Sequence, residues 1–126
     1  MPSEKDVEKI YGYRSDLWET AKAEAVHVLK VKAKAKGLIT YGELTRQISA
    51  INFDPHGYDF RHFLGQLSSE SDAAGEGMIT ALVIYKDGDQ LPGPGFFDLA
   101  KRLGRDISDR VRCWSHEVNR VHRAAA

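Results

Sequence analysis

The chain has a single cysteine, Cys113, in 126 residues. An intramolecular disulfide is therefore excluded, and a reducing cytoplasm is the expected compartment. An excess of one charge sign is also missing, because 18 basic residues stand against 18 acidic ones for a formal net charge of zero. No global field draws such a chain to nucleic acid or to an anionic membrane, so binding of that kind requires a local patch. No apolar run approaches the ~20 residues of a bilayer span. Residues Met1 to Tyr11 are charged and lack an apolar core, which predicts no secretory signal. Internal repeats and low-complexity linkers are likewise missing. The apolar share of 42% fits one soluble domain with a modest core.

The strongest local signal is Ile39-Thr40-Tyr41-Gly42-Glu43-Leu44. Thr40 at an N-cap can accept from the amide of Glu43 while the Glu43 side chain reaches back, and Ile39 can clasp Leu44 across the cap. This predicts a helix from Tyr41 to about Ala50, with Leu44 and Ile48 inward. Pro55 and Gly57 break the chain. Asp59 then serves as the expected N-cap of a second helix, whose Phe60, Phe63, Leu64 and Leu67 supply the core stripe. Small residues and glycines from Asp72 to Gly77 predict a loop. Met78 to Tyr85, rich in isoleucine, leucine, valine and threonine, is the best strand candidate. Asp87-Gly88 supplies a hairpin turn, while Pro92 and Pro94 limit the returning strand to a short or edge one.

Longer helices flank this midsection. Ser15 or Asp16 can open one that runs to about Lys36, with Trp18, Ala21, Ala25, Val28 and Leu29 as its apolar stripe and Gly37 as its stop. Lys30, Lys32, Lys34 and Lys36 at its end suit the negative pole of the helix dipole, a simpler reading than a phosphate patch. Phe96 to Leu103 predicts a further helix ended by Gly104. Ile107, Val111, Trp114, Val118 and Val121 then form a seam for a last helix, to be covered by the first helix or by a second copy of the chain. The expected fold is α+β and mainly helical. It has a winged helix-turn-helix core with a short β-hairpin, long N- and C-terminal helices, an arm over residues 1–14 and one domain over 15–126.

Chemistry is sparse. Cys113 and His116 share a helix face, but two ligands do not make a structural zinc site. Asp54, His56, Asp59 and His62 form a denser set, yet Asp54 beside Pro55 and Asp59 before Phe60 have ordinary turn and cap roles. Cys113 beside Trp114 suits burial better than nucleophilic use. Gly93 and Gly95 precede Phe96 and Phe97, where a phosphate-binding loop needs lysine and a hydroxyl residue. No metal, cofactor or catalytic residue is expected. For duplex DNA, Arg61, His62 and Gln66 on the second helix are the expected groove readers, and Arg46 and Lys86 the phosphate contacts. Asp72, Glu76, Asp87 and Asp89 oppose them. The alternative is a protein partner or homodimer met through Phe96, Phe97 and Trp114.

The segment Gly37-Leu38-Ile39-Thr40-Tyr41-Gly42-Glu43-Leu44 resembles the helix start in the DNA-binding domain of alkylguanine-DNA alkyltransferases and their alkyltransferase-like relatives. The resemblance covers Gly37 to Gly95 in layout and implies a winged-helix framework. That family's proline-cysteine-histidine-arginine motif would fall at Met78-Ile79-Thr80-Ala81-Leu82-Val83-Ile84, where no cysteine stands, so alkyl transfer is not implied. Pro92 through Leu103 is also similar to bacterial proteins of comparable size and undefined activity. The order of elements, together with Arg46, Arg61, His62, Gln66 and Lys86, gives the expectation of a non-enzymatic DNA-binding protein.

Overall fold

A computed structural model describes residues 9–126. A tight hairpin of β1 (Lys9–Ile10) and β2 (Tyr13–Arg14) leads into α1 (Ser15–Lys34). The arm expected over residues 1–14 is thus a hairpin in its last six residues, and its first eight lie outside the described residues. On α1 the stripe of Trp18, Ala21, Ala25 and Leu29 is fully buried, and Ala33 extends it. Val28 only borders that core.

The capped start of α2 (Tyr41–Arg46) forms as the sequence predicts, with the Glu43 amide donating to Thr40 Oγ1 at 3.2 Å and the Thr40 hydroxyl donating to Glu43 Oε1 at 3.0 Å. The helix ends about four residues earlier than expected, and the cause lies across the core. The Glu24 carboxylate on α1 accepts the amides of Ser49 and Ala50, which holds those residues off the helix axis. Next comes α3 (Tyr58–Ala73), whose N-cap is Gly57 and not Asp59. Asp54 accepts the amide of His56 through its side chain and that of Gly57 through its carbonyl, so the turn closes early enough for the helix to begin at Tyr58. Asp59 is freed to accept from the Tyr13 hydroxyl at 3.1 Å. The helix also runs to Ala73, into the segment expected as a loop.

The main departure lies at Met78 to Tyr85. Ile79–Leu82 is a 3-10 turn, and only β4 (Val83–Ile84) is extended, paired in parallel with β3 (Ile39–Thr40) in the register Ile39 to Val83 and Thr40 to Ile84. No returning strand follows Asp87-Gly88 among the described residues. The chain closes instead through one bond from the Tyr85 amide to the Leu91 carbonyl, at 3.1 Å. The segment does not need a partner strand because side chains satisfy it. Glu117 accepts the Met78 amide, Ser71 Oγ that of Ile79 and Ser68 Oγ that of Thr80. The segment expected as a wing is therefore a loop, and among the described residues the antiparallel hairpin is the one at residues 9–14.

α4 (Pro94–Arg102) and α5 (Arg110–Ala125) complete the chain. Asp109 caps α5 by accepting the Arg112 amide at 3.1 Å. The α5 face that packs against α1 and the 3-10 turn is Cys113, Glu117 and Val121, flanked by Trp114 and Val118. Val111, expected in the seam, is 59% exposed. Glu117 takes a core position because Arg105 reaches it, Nε donating to Oε1 at 2.8 Å, while the same guanidinium also meets Asp72. The seam is covered by the chain's own elements. Among the described residues, no helix is long and apolar enough to cross a membrane. The architecture is mainly helical α+β.

Candidate functional site

Three concavities join across the face made by α2, α3, the loop after β4 and the start of α4. The central one encloses about 160 Å³ among Tyr41, His56, Arg61, Tyr85 and Gly93, with Phe60 and Leu64 on its apolar wall. It shares Arg61 and Leu99 with a groove between α3 and α4 that also holds Tyr58, His62, Gln66 and Arg102. On the other side it shares Tyr41, His56 and Tyr85 with a groove that holds Arg46 and Lys86. All five residues expected to meet DNA therefore border one continuous surface. Sequence separation hides this convergence, since Lys86 follows a buried 3-10 turn and Arg46 ends a different helix.

The central cavity is shaped by close approaches. Gly93 donates its amide to the Tyr41 hydroxyl at 2.7 Å. Tyr41 and Tyr85 lie with ring centroids 4.9 Å apart, and a methyl group placed on Gly93 would stand 2.6 Å from the Tyr85 hydroxyl. Burial pushes the Tyr41 phenol above its ordinary pKa, against the opposing effect of the Gly93 bond, so it is neutral at physiological pH. Gly95 leaves room for the stem of Arg61, whose Cγ would lie 3.1 Å from an added methyl. Without a side chain at that position, Arg61 crosses the start of α4 with its head group exposed.

Not every side chain keeps its expected role. Gln66 accepts the Trp18 indole N–H at 2.8 Å, which commits its carbonyl oxygen and leaves its amide group toward the groove. His62 is half-buried between Tyr58, at a centroid distance of 4.2 Å, and Tyr11, at 5.1 Å. It belongs to an aromatic cluster and is not a free reader of base edges. Of the acids on the face, Glu70 is paired with Lys22 at 2.7 Å and Glu43 is held in its cap. Asp87 and Asp98 are exposed. Asp72, expected to repel phosphate from a loop, is bound to Arg105 away from the face.

Of the residues expected to meet a protein partner, Phe96 and Phe97 are core residues and Trp114 is half-buried beside them. Phe96 and Phe97 are 8% and 1% exposed and pack with Met78, Ala81, Ala100 and Cys113. Trp114 borders the same cluster and donates its indole N–H to the Ala81 carbonyl at 2.7 Å. Phe96 and Phe97 lie in α4, as the sequence predicts, and both rings turn inward from it. Burial raises the Cys113 thiol pKa, with Glu117 adding to the effect, so the sulfur is held as the neutral thiol. Among the described residues, no group of three or more His, Cys, Asp or Glu is arranged to hold a metal ion. The Asp54, His56, Asp59 and His62 set is dispersed into the turn bond, the Tyr13 contact and the aromatic cluster.

The sequence pattern does not mark Tyr41, Tyr58 and Tyr85 as site residues, and it offers His56 only as a metal ligand. Their signal was aromatic rings placed off the apolar stripes, which a core-directed pattern gives no reason to expect. Compared with protein-family models, curated proteins and solved structures, the chain has no match.

Proposed function

We propose that this face binds duplex DNA without catalysing a reaction. The framework is a helix-turn-helix variant in which α2 and α3 are the two helices and the loop from Tyr85 to Leu91 occupies the place of a wing. The observation that carries this reading is the continuity of the surface bordered by Arg46, Arg61, His62, Gln66 and Lys86. Arg102 extends it at the α4 end. In a molecule of zero net charge, such a cluster supplies the local patch that phosphate binding requires. Arg61 and Arg102 bring guanidinium groups suited to phosphate or base edges, and Lys86 brings a flexible cation on an exposed loop. Gln66 contributes its amide donor. A partner surface built on Phe96, Phe97 and Trp114 has less support, because Phe96 and Phe97 are buried in the core and the half-buried Trp114 packs against it with its indole N–H bonded to Ala81.

Fluorescence anisotropy with a labelled random-sequence duplex at low salt tests the proposal. Binding at micromolar protein, weakened by Arg61→Ala and by Lys86→Ala, is the expected result. No binding in that range, or binding indifferent to both substitutions, overturns it.

A further inference from the structure

We propose that Tyr11, Tyr58 and His62 form a shelf on which an unpaired nucleobase of bound DNA stacks, an inference that rests on reading the adjoining face as a DNA surface. The three rings form one cluster. Tyr58 and His62 lie one turn apart on α3, and Tyr11 reaches them from the β1–β2 turn at centroid distances of 6.1 Å and 5.1 Å. Behind them, the buried Trp18 stands 5.6 Å from Tyr11. The outer rings are open to solvent, Tyr58 at 61% and Tyr11 at 44% exposure. An exposed aromatic group of this size has a purpose more often than scattered single rings do.

Tyr11 adds a second, independent sign. Its φ is +52°, in the left-handed region, with Gly12 at +83° beside it. Asparagine or glycine takes the first position of such a turn with little cost, whereas a bulky aromatic there is uncommon. Backbone conformations of this kind are held where a side chain must be presented in a particular place. Here the turn lays the tyrosine ring beside His62 and Tyr58.

The neighbours select the ligand. Tyr58 and His62 share their groove with Arg61, Arg102 and Gln66, and with two carboxylates, Glu70, which is paired with Lys22, and the exposed Asp98, so the shelf adjoins two exposed cations against one carboxylate outside that ion pair. A quaternary ammonium group, the usual guest of aromatic cages, would meet like charge. Aromatic faces beside guanidinium groups are instead the combination that holds nucleic acid, in which any base offers a face and the phosphate meets the cations. A base within a paired duplex is already stacked on both sides. The shelf therefore takes a base that is unpaired, as at a bulge.

The test compares a duplex carrying one bulged 2-aminopurine with its fully paired counterpart, using the whole chain. The bulged duplex should bind about tenfold more tightly, with quenched 2-aminopurine fluorescence. Tyr58→Ala, at an exposed position, and Tyr11→Asn, which suits the left-handed turn, should each remove the quenching and the preference. For Tyr11→Asn, whose ring lies outside the three concavities, affinity for the paired duplex should change by no more than about twofold, since phosphate contacts carry it. Equal affinity for the two duplexes, or quenching that survives both substitutions, overturns the shelf and leaves the duplex-binding reading standing. Quenched binding of the bulged form alone supports the shelf and removes the duplex reading. Binding of neither removes both.

Discussion

The amide of Gly93 donates to the hydroxyl of Tyr41 at 2.7 Å, joining the start of α4 to the first residue of α2 across 52 positions of sequence. This bond fixes one wall of the central cavity, and it leads to a contrast between two substitutions. Tyr41→Phe leaves the buried Gly93 amide without its acceptor and should cost about 1–3 kcal/mol in urea denaturation. Gly93→Ala clashes with the far end of the exposed Tyr85 side chain, which can swing aside, and otherwise stands at 3.4 Å from the Tyr41 hydroxyl, an ordinary contact. It should cost less than about 1 kcal/mol, while changing the Tyr85 environment in NMR spectra. Equal losses for the two variants would contradict this account of the wall.

Arg105 and Glu117 form the costliest polar element of the core. Glu117 is 1% exposed, accepts the Met78 amide and takes two bonds from the Arg105 guanidinium. Asp72 and Glu117 together hold the Arg105 pKa above its already high ordinary value, so the guanidinium stays charged. Arg105→Ala should destabilise by about 3 kcal/mol, because a buried carboxylate loses its main partner. The double variant Arg105→Met, Glu117→Met removes both charges and should lose less than the sum of the two single changes. Additive losses in equilibrium denaturation would show that the two residues are not coupled.

Acid should weaken the link between α1 and the end of α2. The Ser49 hydroxyl, more than the backbone amides of Ala50 and Ser49, holds the Glu24 carboxyl below the usual carboxylate range against a smaller effect of burial. A carboxyl whose folded pKa is depressed stabilises above its unfolded pKa, and that contribution is lost as pH falls through the folded value. Glu24→Ala should cost about 1 kcal/mol at neutral pH, and the gap from the unaltered protein should narrow below about pH 4. A gap that stays constant from neutral to acid pH would show that the charge is not what matters.

The proposed contacts of Arg46, Arg61 and Lys86 with phosphate predict a steep salt dependence of duplex affinity. Replacing any one with alanine should reduce the slope of log affinity against log salt by about 1. Isothermal titration across a salt series would read this directly, and unchanged slopes in all three variants would argue against phosphate contact.

The sequence revealed those parts of the fold whose signals are local. The Thr40 cap, the Trp18 to Leu29 stripe and the Phe60 to Leu67 stripe depend on residues three or four apart, and each lies where the spacing predicts. Met78 to Tyr85 is a strand only at Val83–Ile84, because a short, mostly apolar run has no period to distinguish a strand from a buried turn. Its amides are satisfied by Ser68, Ser71 and Glu117, two of them on α3 and one on α5, and no local pattern announces such partners. Glu117 was left out of the α5 seam for a related reason, since a carboxylate counts as a surface residue until Arg105 is known to face it. The cationic site residues were visible as residue types. Their convergence, and the aromatic rings among them, depended on long-range packing.

The most direct test of the central claim is a two-dimensional NMR titration of the isotopically labelled chain with a short duplex. Amide shifts confined to the surroundings of Arg46, Arg61, Gly65 and Lys86 are the predicted result. Shifts concentrated instead on the lysine-rich end of α1 and the outer face of α5, or none at duplex saturation, would contradict it.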